Sequence, residues 1–151
     1  MTRLHEEIET TLPLDVAFPF VANFANASRW DPGVESSDTL DPGPPAVGSR
    51  YALMVRMGGR FAPMEYKVSV LDPMRRVVLR GSGSGVSAVD EIRFEPSGTG
   101  THIEYTADIR LGGWLRLVQP LLGGSFRKIA KDALAGMEKT LGEMAAAAGK
   151  G

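Results

Sequence analysis

The sequence contains no cysteine among its 151 residues and only two histidines. Without a thiol, the chain can form no disulfide, zinc–thiolate centre, iron–sulfur cluster or cysteine nucleophile. The formal charge of −1 is spread over both signs, which gives no basis for a nucleic-acid groove or a polybasic membrane anchor. No apolar run reaches membrane-spanning length, and residues 1–12 lack the apolar stretch of a signal peptide. We therefore expect a cytoplasmic protein that neither binds nucleic acid nor inserts stably into a membrane.

The last third of the chain predicts one long helix from Trp114 to Met144. Its apolar residues recur at gaps of three or four, the period of one helical face. They are Val118, Leu122, Phe126, Ile129, Ala133, Met137, Leu141 and Met144. Most charged residues of this segment fall off the stripe, so we expect the helix to bury one side against a wide surface. The length of the chain suits one domain, which we place at residues 1–148 with a short flexible tail at 149–151.

The start of that helix contains Pro120 and the glycines Gly123 and Gly124, which weaken helical structure. A bent start that follows the sheet is the simplest interpretation of the segment 111–124. A portal for an apolar ligand and a contact in a homodimer remain alternatives, and no other feature of the sequence supports the dimer.

The preceding part of the chain predicts a sheet of about seven strands. Alternating apolar and polar residues, separated by turn residues, mark strands at 3–12, 34–40, 48–57, 60–71, 75–81, 86–95 and 101–111. Two short helices are expected after the first strand, at 15–24 with Asp15 as the N-cap and at 27–30. A hairpin turn is expected at Gly58-Gly59. Because the connections are short, neighbouring strands should be antiparallel, with one face of the sheet buried under the long helix.

Several short segments in this order are similar to one protein superfamily. They are Phe-Ala-Asn at 24–26 followed by Trp-Asp-Pro-Gly at 30–33, Gly-Ser-Arg-Tyr at 48–51, Pro-Met-Glu-Tyr at 63–66, the turn at 72–77, the strand at 89–94, and Gly-Thr at 100–101. With them, nearly the whole chain resembles the α+β helix-grip fold of the Bet v 1-like/START-like superfamily. Within it, the chain resembles the bacterial polyketide cyclase/dehydrase and lipid-transport branch, often labelled SRPBCC.

The resemblance implies a curved antiparallel sheet wrapped around the C-terminal helix, with an apolar cavity between them. The short helices and the strand loops would surround the mouth of the cavity. Members of the superfamily include carriers, cyclases, hydrolase-like proteins and stress-related binders without a shared catalytic motif. The resemblance is therefore informative about the fold and much less so about activity.

Inward-facing apolar and aromatic side chains are the candidate ligand-binding residues. They are Trp30, Leu53, Val55, Met57, Met64, Tyr66, Ile103, Tyr105, Phe126, Ile129, Ala133 and Met137. Methionines suit an adaptable pocket, and the two tyrosines offer hydroxyl groups to a ligand. Glu65 is adjacent to Tyr66 on the same strand, so it should face solvent if Tyr66 faces inward.

Asp90 is the candidate catalytic residue. It lies on the apolar stripe of its strand, between Ala88 and Ile92, where an isolated ionised carboxylate is strongly disfavoured. It is interpreted either as an acid or base in the pocket, or as an anchor for a ligand hydroxyl. The alternative is a structural carboxylate satisfied by Arg80, Arg56 or a backbone amide, or a bulge that turns the side chain outward.

The remaining polar residues give weaker signals. Asp31 follows Trp30 at the expected mouth, and capping of the local turn is its favoured interpretation. His5 and His102 fall on outward faces without a second ligand at helical spacing, so no metal site is expected. The serines at 82, 84 and 87 lack a histidine partner, and the glycine-rich turn 81–85 lacks the signature of a phosphate loop.

Two principal functions follow. The first is binding or transport of a hydrophobic small molecule such as a lipid, a polyketide or an isoprenoid. The second is a cyclase or dehydratase in which Asp90 is the acid or base, assisted by Tyr66, Tyr105 or Asp31, with no metal or nucleotide cofactor. A protein-interaction module is a third alternative, and it would predict a large exposed apolar patch in place of a cavity.

Overall fold

Seven strands and three α-helices make up the fold in the computed structural model, which describes residues 2–57 and 59–149. The strands are β1 Thr2–Thr10, β2 Val34–Thr39, β3 Arg50–Met57, β4 Arg60–Asp72, β5 Arg76–Gly83, β6 Val86–Ser97 and β7 Gly100–Leu111. The α-helices are α1 Leu14–Ala22, α2 Ala27–Trp30 and α3 Gly123–Gly149, with 3₁₀ helices at Phe24–Asn26, Gly113–Leu117 and Gln119–Leu121. The predicted succession of a strand, short helices, six strands and a long helix is confirmed.

The strands form one antiparallel sheet in the order β1-β7-β6-β5-β4-β3-β2. From β2 onward each strand pairs with its sequence neighbour, and β1 closes the order by pairing with β7. β1 and β2 therefore form the two edges of the sheet. Gly98 turns the chain between β6 and β7 with a φ of 61°, a left-handed conformation that favours glycine. The predicted turn at Gly58-Gly59 lies partly outside the described residues, because Gly58 is not among them.

The sheet is curved and has α3 packed across it, which is the helix-grip architecture. The C-terminal half of α3 closes tightly on the sheet, where Met137 and Leu141 are completely buried. They belong to the same core cluster as Ile8, Ile92 and Ile103 from three strands. Alternation of apolar and polar residues along the strands produces this single buried face.

The predicted start of the long helix is wrong. The chain from Gly113 to Leu121 forms two 3₁₀ helices, and α3 begins only at Gly123. Pro120 has no backbone N–H to donate, and the glycine pair lowers the helical propensity of the next turn. Val118 and Leu122 of the predicted stripe therefore precede the α-helix. At the other end, α3 continues to Gly149, and residues 150 and 151 of the expected tail lie outside the described part of the chain.

The predicted cap of the first short helix is also wrong. Pro13 occupies the N-cap of α1, and Asp15 lies within the first turn, where its charge suits the positive end of the helix. The chain leaves α1 at Asn23, whose side chain accepts a 3.1 Å hydrogen bond from the backbone N–H of Ala25 and begins a 3₁₀ turn. Phe24 is buried within that turn.

Within the described ranges, no helix combines the length and the apolar character needed to span a lipid bilayer.

Candidate functional site

A cavity of about 480 Å³ lies between the sheet and the N-terminal half of α3. Most of its walls are apolar side chains from β3, β4, β6, β7 and α3, and α2 contributes Ala27 and Trp30. The helical side is formed by Ser125, Phe126, Ile129, Ala130, Ala133 and Leu134. A volume of this size lies in the ordinary range of small-molecule pockets.

Most of the candidate ligand-binding residues lie around this cavity. They are Trp30, Leu53, Val55, Met57, Met64, Tyr66, Tyr105, Phe126, Ile129 and Ala133. Tyr66 is buried and Glu65 is exposed on the opposite face, as the alternation predicts. Contact of these side chains with a ligand remains a prediction.

Ile103 and Met137 do not line the cavity. Both are completely buried in the core cluster. Ile103 pairs with Ile8 near the hairpin end of β7, and Met137 lies one turn beyond Ala133, where α3 has already closed on the sheet. Both residues face inward as expected, but at positions where the interior is filled by other side chains.

Asp90 faces the cavity from β6, and its side chain is only 7% exposed. The pairing of β6 with β5 and β7 is regular throughout, so the alternative of a bulge is wrong. Its hydrogen-bond partner is the hydroxyl group of Tyr105, which donates to Oδ2 from the neighbouring strand. Neither Arg80 nor Arg56 forms an ion pair with Asp90 among the described residues.

Burial raises the pKa of Asp90 from 3.8 to about 7. The hydrogen bond from Tyr105 opposes this change, while the negative charges of Asp31 and Asp108 add to it. The proton therefore stays on Asp90 up to near-neutral pH. In that state the carboxyl group can donate a hydrogen bond, and after ionisation it can only accept one.

Asp31 follows α2 and also lines the cavity. Its Oδ1 accepts a 2.8 Å hydrogen bond from the backbone N–H of Gly33, so it caps the local turn as favoured from the sequence. Burial raises the pKa of Asp31 from 3.8 to about 6, although the Gly33 bond stabilises the charged form. The carboxyl group of Asp31 therefore caps the local turn and also faces the cavity.

A row of aromatic rings lies beside the two carboxyl groups. The ring centroids of Phe24 and Tyr66 are 5.3 Å apart, and those of Phe24 and Trp30 are 6.3 Å apart. Trp30 in turn meets Tyr105 edge to face at 6.3 Å. The indole N–H of Trp30 is buried and has no hydrogen-bond partner within the described chain. The row contacts Asp90 through Tyr105, so polar and aromatic surface are concentrated in one part of the cavity.

Small residues of the strands that make room for the cavity were not predicted from the sequence, which had indicated only Ala130 and Ala133 on the helix. Ala88 and Ala107 line it from β6 and β7, and they follow the same alternation as their larger neighbours. Gly81 is buried directly beneath Tyr66, where an added Cβ would lie 2.5 Å from a carbon of the phenol ring. The sequence did contain a signal for this space, namely small residues at inward-facing positions of the strands.

The outer face of the sheet brings together residues that are distant in sequence. Ligand-type atoms of His5, Glu7 and Glu104 lie within 4.8 Å of one another because β1 pairs with β7. His102 pairs with Glu9 through a 2.5 Å contact of Nδ1. The expectation of no metal site considered helical spacing alone and overlooked this cross-strand proximity. The cluster is largely exposed; His5 forms an ion pair with Glu7, and His102 forms ion pairs with Glu7 and Glu104.

The two 3₁₀ helices before α3 carry strongly exposed apolar side chains beside the cavity. Trp114, Leu117 and Leu121 are 73%, 83% and 82% exposed. Leu115 and Leu122, from the same stretch, point their apolar surface to the cavity.

The fold and the cavity define a helix-grip protein with a largely apolar cavity between the sheet and α3. The chain belongs to the polyketide cyclase/dehydrase and lipid-transport family, whose profile matches residues 1–145. A sequence comparison with curated proteins found no match.

Solved structures with low sequence identity share the fold. A protein from Thermus thermophilus, TTHA0849, is 15% identical with a TM-score of 0.75, covering 92% of this chain and 96% of its own. A START superfamily protein from Mycobacterium smegmatis is 16% identical with a TM-score of 0.74, over 95% of this chain and 97% of its own. The ZhuI aromatase/cyclase from Streptomyces sp. R1128 is 16% identical with a TM-score of 0.69, over 93% and 92%.

Proposed function

We propose that this protein binds a hydrophobic small molecule, such as a lipid, a polyketide or an isoprenoid, between the sheet and α3. The observation that carries the proposal is the cavity of about 480 Å³ with its largely apolar walls. Transfer of an apolar ligand from water into such a space is favoured by about 25 cal/mol per Å² of apolar surface buried. Met57 and Met64 in the wall add side chains that adapt to ligands of different shape.

Filling part of the cavity should weaken binding without unfolding the protein. Ala133 lies in the wall on α3, and a phenyl ring at this position would occupy space that the ligand needs. We expect Ala133→Phe to weaken binding of the neutral apolar dye Nile red at least about tenfold, equivalent to about 1.4 kcal/mol. Fluorescence titration measures the affinity, and circular dichroism checks that the variant is folded.

Ala135→Phe is the matched control, because Ala135 is exposed on the same helix and outside the wall. It should leave the dye affinity unchanged. Equal affinity of the wild-type protein and the Ala133→Phe variant would contradict binding in this cavity. Native mass spectrometry of the purified protein would show directly whether an apolar compound is retained.

A second candidate function is a cyclase or dehydratase, and the environment of Asp90 favours it. A carboxyl group with a pKa of about 7 is suited to proton transfer near neutral pH. Its Tyr105 partner holds the group in place, and the apolar walls exclude water from the reaction. The similarity to the ZhuI aromatase/cyclase extends to the fold alone.

Base catalysis by Asp90 can be tested with 2-tetralone, an apolar ketone with acidic protons beside its carbonyl group. The ionised carboxylate would remove a proton from this carbon, and solvent would return a deuteron in D₂O. The exchange rate, followed by NMR, should rise with pH and level off above about 7 as Asp90 ionises. Asp90→Asn should lower the protein-dependent rate at least about 100-fold, the usual contribution of a general base. Retention of the rate in Asp90→Asn would exclude Asp90 as the base, and Glu65→Gln serves as the exposed control.

We place the route of ligand access at the 3₁₀ helices before α3. Trp114, Leu117 and Leu121 expose apolar surface there, and Leu115 joins this surface to the cavity wall. The interaction-module alternative predicted an apolar patch in place of a cavity. In the described residues the exposed apolar side chains accompany a cavity, which favours a role for them in ligand exchange.

A further inference from the structure

The polar side chains of the cavity indicate the chemistry of the ligand more closely than its apolar walls do. This inference rests on the proposed binding function and concerns the head group of the ligand. Among the described residues, the charged side chains around the cavity are Glu6, Asp31, Asp90 and Arg56. The carboxyl groups thus outnumber the single basic group of the lining.

The basic group of the lining contacts an aromatic ring and forms no ion pair with a carboxyl group among the described residues. Arg56 is exposed, and its guanidinium group lies 5.2 Å above the ring of Phe61, which is itself 45% exposed. Neither Asp31 nor Asp90 has an ion-pair partner in the part of the chain that the structure describes. An anionic ligand head would therefore be placed beside acidic groups with no buried cation to balance its charge.

The hydroxyl group of Tyr66 is independent evidence that a polar group of the ligand binds in this part of the cavity. Its side chain is 8% exposed and lines the cavity, and its hydroxyl group has no hydrogen-bond partner within the described residues. Among the described residues Trp30 Nε1 is the one fully buried side-chain polar atom without a partner, so the Tyr66 hydroxyl is open to the cavity, where a ligand atom can form a hydrogen bond with it. The negative charges of Asp90 and Asp31 both act on Tyr66, so the three groups lie in one electrostatic environment.

The aromatic row adds surfaces that attract a cation. The rings of Phe24, Trp30, Tyr66 and Tyr105 form a continuous series beside the carboxyl groups. The face of an aromatic ring attracts ammonium groups, most strongly where water is excluded. Carboxylate, phenol oxygen and ring faces together are complementary to a protonated amine.

We propose that the cavity binds an amphiphile whose head is a protonated primary amine and whose remainder is an apolar chain or ring. The ammonium group is placed between Asp90, Asp31 and the Tyr66 hydroxyl, where it takes the place of the proton held by Asp90. Its three N–H groups donate to carboxylate and phenol oxygens. The apolar remainder extends between the strands and α3 toward Phe126 and Ile129.

The test compares three ligands with the same chain and different heads: decylamine, 1-decanol and decanoate. Each displaces Nile red from the full-length protein at pH 8, where Asp90 is largely ionised. We expect decylamine to bind at least about tenfold more tightly than decanoate, with decanol between them. Asp90→Asn should remove most of this preference by weakening the binding of decylamine, whereas Glu65→Gln, at an exposed position, should leave all three affinities unchanged. Asp31→Asn is the second variant, expected to reduce the preference for the amine by a smaller factor.

Decanoate binding as tightly as decylamine, or a preference for the amine that survives in both Asp90→Asn and Asp31→Asn, would overturn the proposal. Those results would leave the proposed binding function intact, because Nile red and decanol would still bind. Failure of the dye and of all three chains to bind would instead contradict the binding function, and the inference with it.

Discussion

Asp90→Asn is expected to make the protein more stable than wild type at pH 8, by up to about 4 kcal/mol. The physical cause is the burial of a charge: the pKa of Asp90 rises from 3.8 in the unfolded chain to about 7 in the folded protein. Each unit of this difference corresponds to about 1.4 kcal/mol. Asparagine carries no charge at any pH, and its amide oxygen can still accept the hydrogen bond from Tyr105.

The direction in which the free energy of unfolding changes with pH follows from proton binding. Between about pH 4 and pH 7, the folded protein holds a proton on Asp90 that the unfolded chain has released. The free energy of unfolding of the wild-type protein therefore decreases as the pH rises through this window, and it levels off above the folded pKa. Below the unfolded pKa the carboxyl group is protonated in both states, so the stability difference between wild type and variant should vanish there.

Urea denaturation at pH 4, 6 and 8 measures this effect as the difference between the two proteins. The other titrating groups, including Asp31 with its pKa of about 6, are common to both and largely cancel. Glu65→Gln, at an exposed position on the same sheet, should show no such pH-dependent difference. A difference between wild type and Asp90→Asn that is constant across the pH range would show that burial of charge at Asp90 is not its cause.

Gly136→Ala is expected to destabilise the protein by about 2–4 kcal/mol, although alanine is the better helix former. Gly136 lies in α3 against the end of α2, where an added Cβ would be 2.2 Å from the carbonyl oxygen of Trp30. The next neighbour, a ring carbon of Pro32, would be at 2.9 Å. Backbone and proline ring cannot move aside as a flexible side chain would, so α3 must shift away from α2.

Gly142→Ala provides a matched control in the same helix, because an added Cβ there meets nothing within 4 Å. This variant should be more stable than wild type by up to about 1 kcal/mol, the gain in helical propensity. Thermal and urea denaturation compare the two variants. If Gly136→Ala were as stable as Gly142→Ala, close contact between α3 and α2 would be excluded. Because Trp30 lines the cavity, Gly136→Ala should also alter Nile red affinity, whereas Gly142→Ala should not.

The sequence was sufficient to predict the order of the elements and the inward face of most strands. On β6, for example, the alternation placed Ala88, Asp90 and Ile92 on one face, and all three are buried. Turn residues between strands also implied the antiparallel pairing. These features depend on local patterns of a few residues, which a single sequence displays.

These local patterns could not predict features that depend on the distance between two secondary-structure elements. Alternation shows that Ile103 and Met64 face inward. It does not show that Met64 borders a cavity whereas Ile103 lies in the packed core. As a structural carboxylate, Asp90 was expected to pair with an arginine or a backbone amide. Its hydrogen-bond partner is Tyr105, which lies diagonally on the adjacent strand and had been named only as an assisting residue of the enzyme interpretation. The contact at Gly136 likewise depends on how closely two helices approach.

The two halves of α3 are packed against the rest of the protein to different extents. Its C-terminal half is fixed by Met137 and Leu141 in the core, whereas Phe126 and Ile129 in its first turns border the cavity. The free energy needed to separate the first turns from the sheet is therefore smaller than the free energy of global unfolding. If the protein has the proposed binding function, we expect the ligand to exchange through a local opening at the start of this helix while the hydrophobic core remains folded.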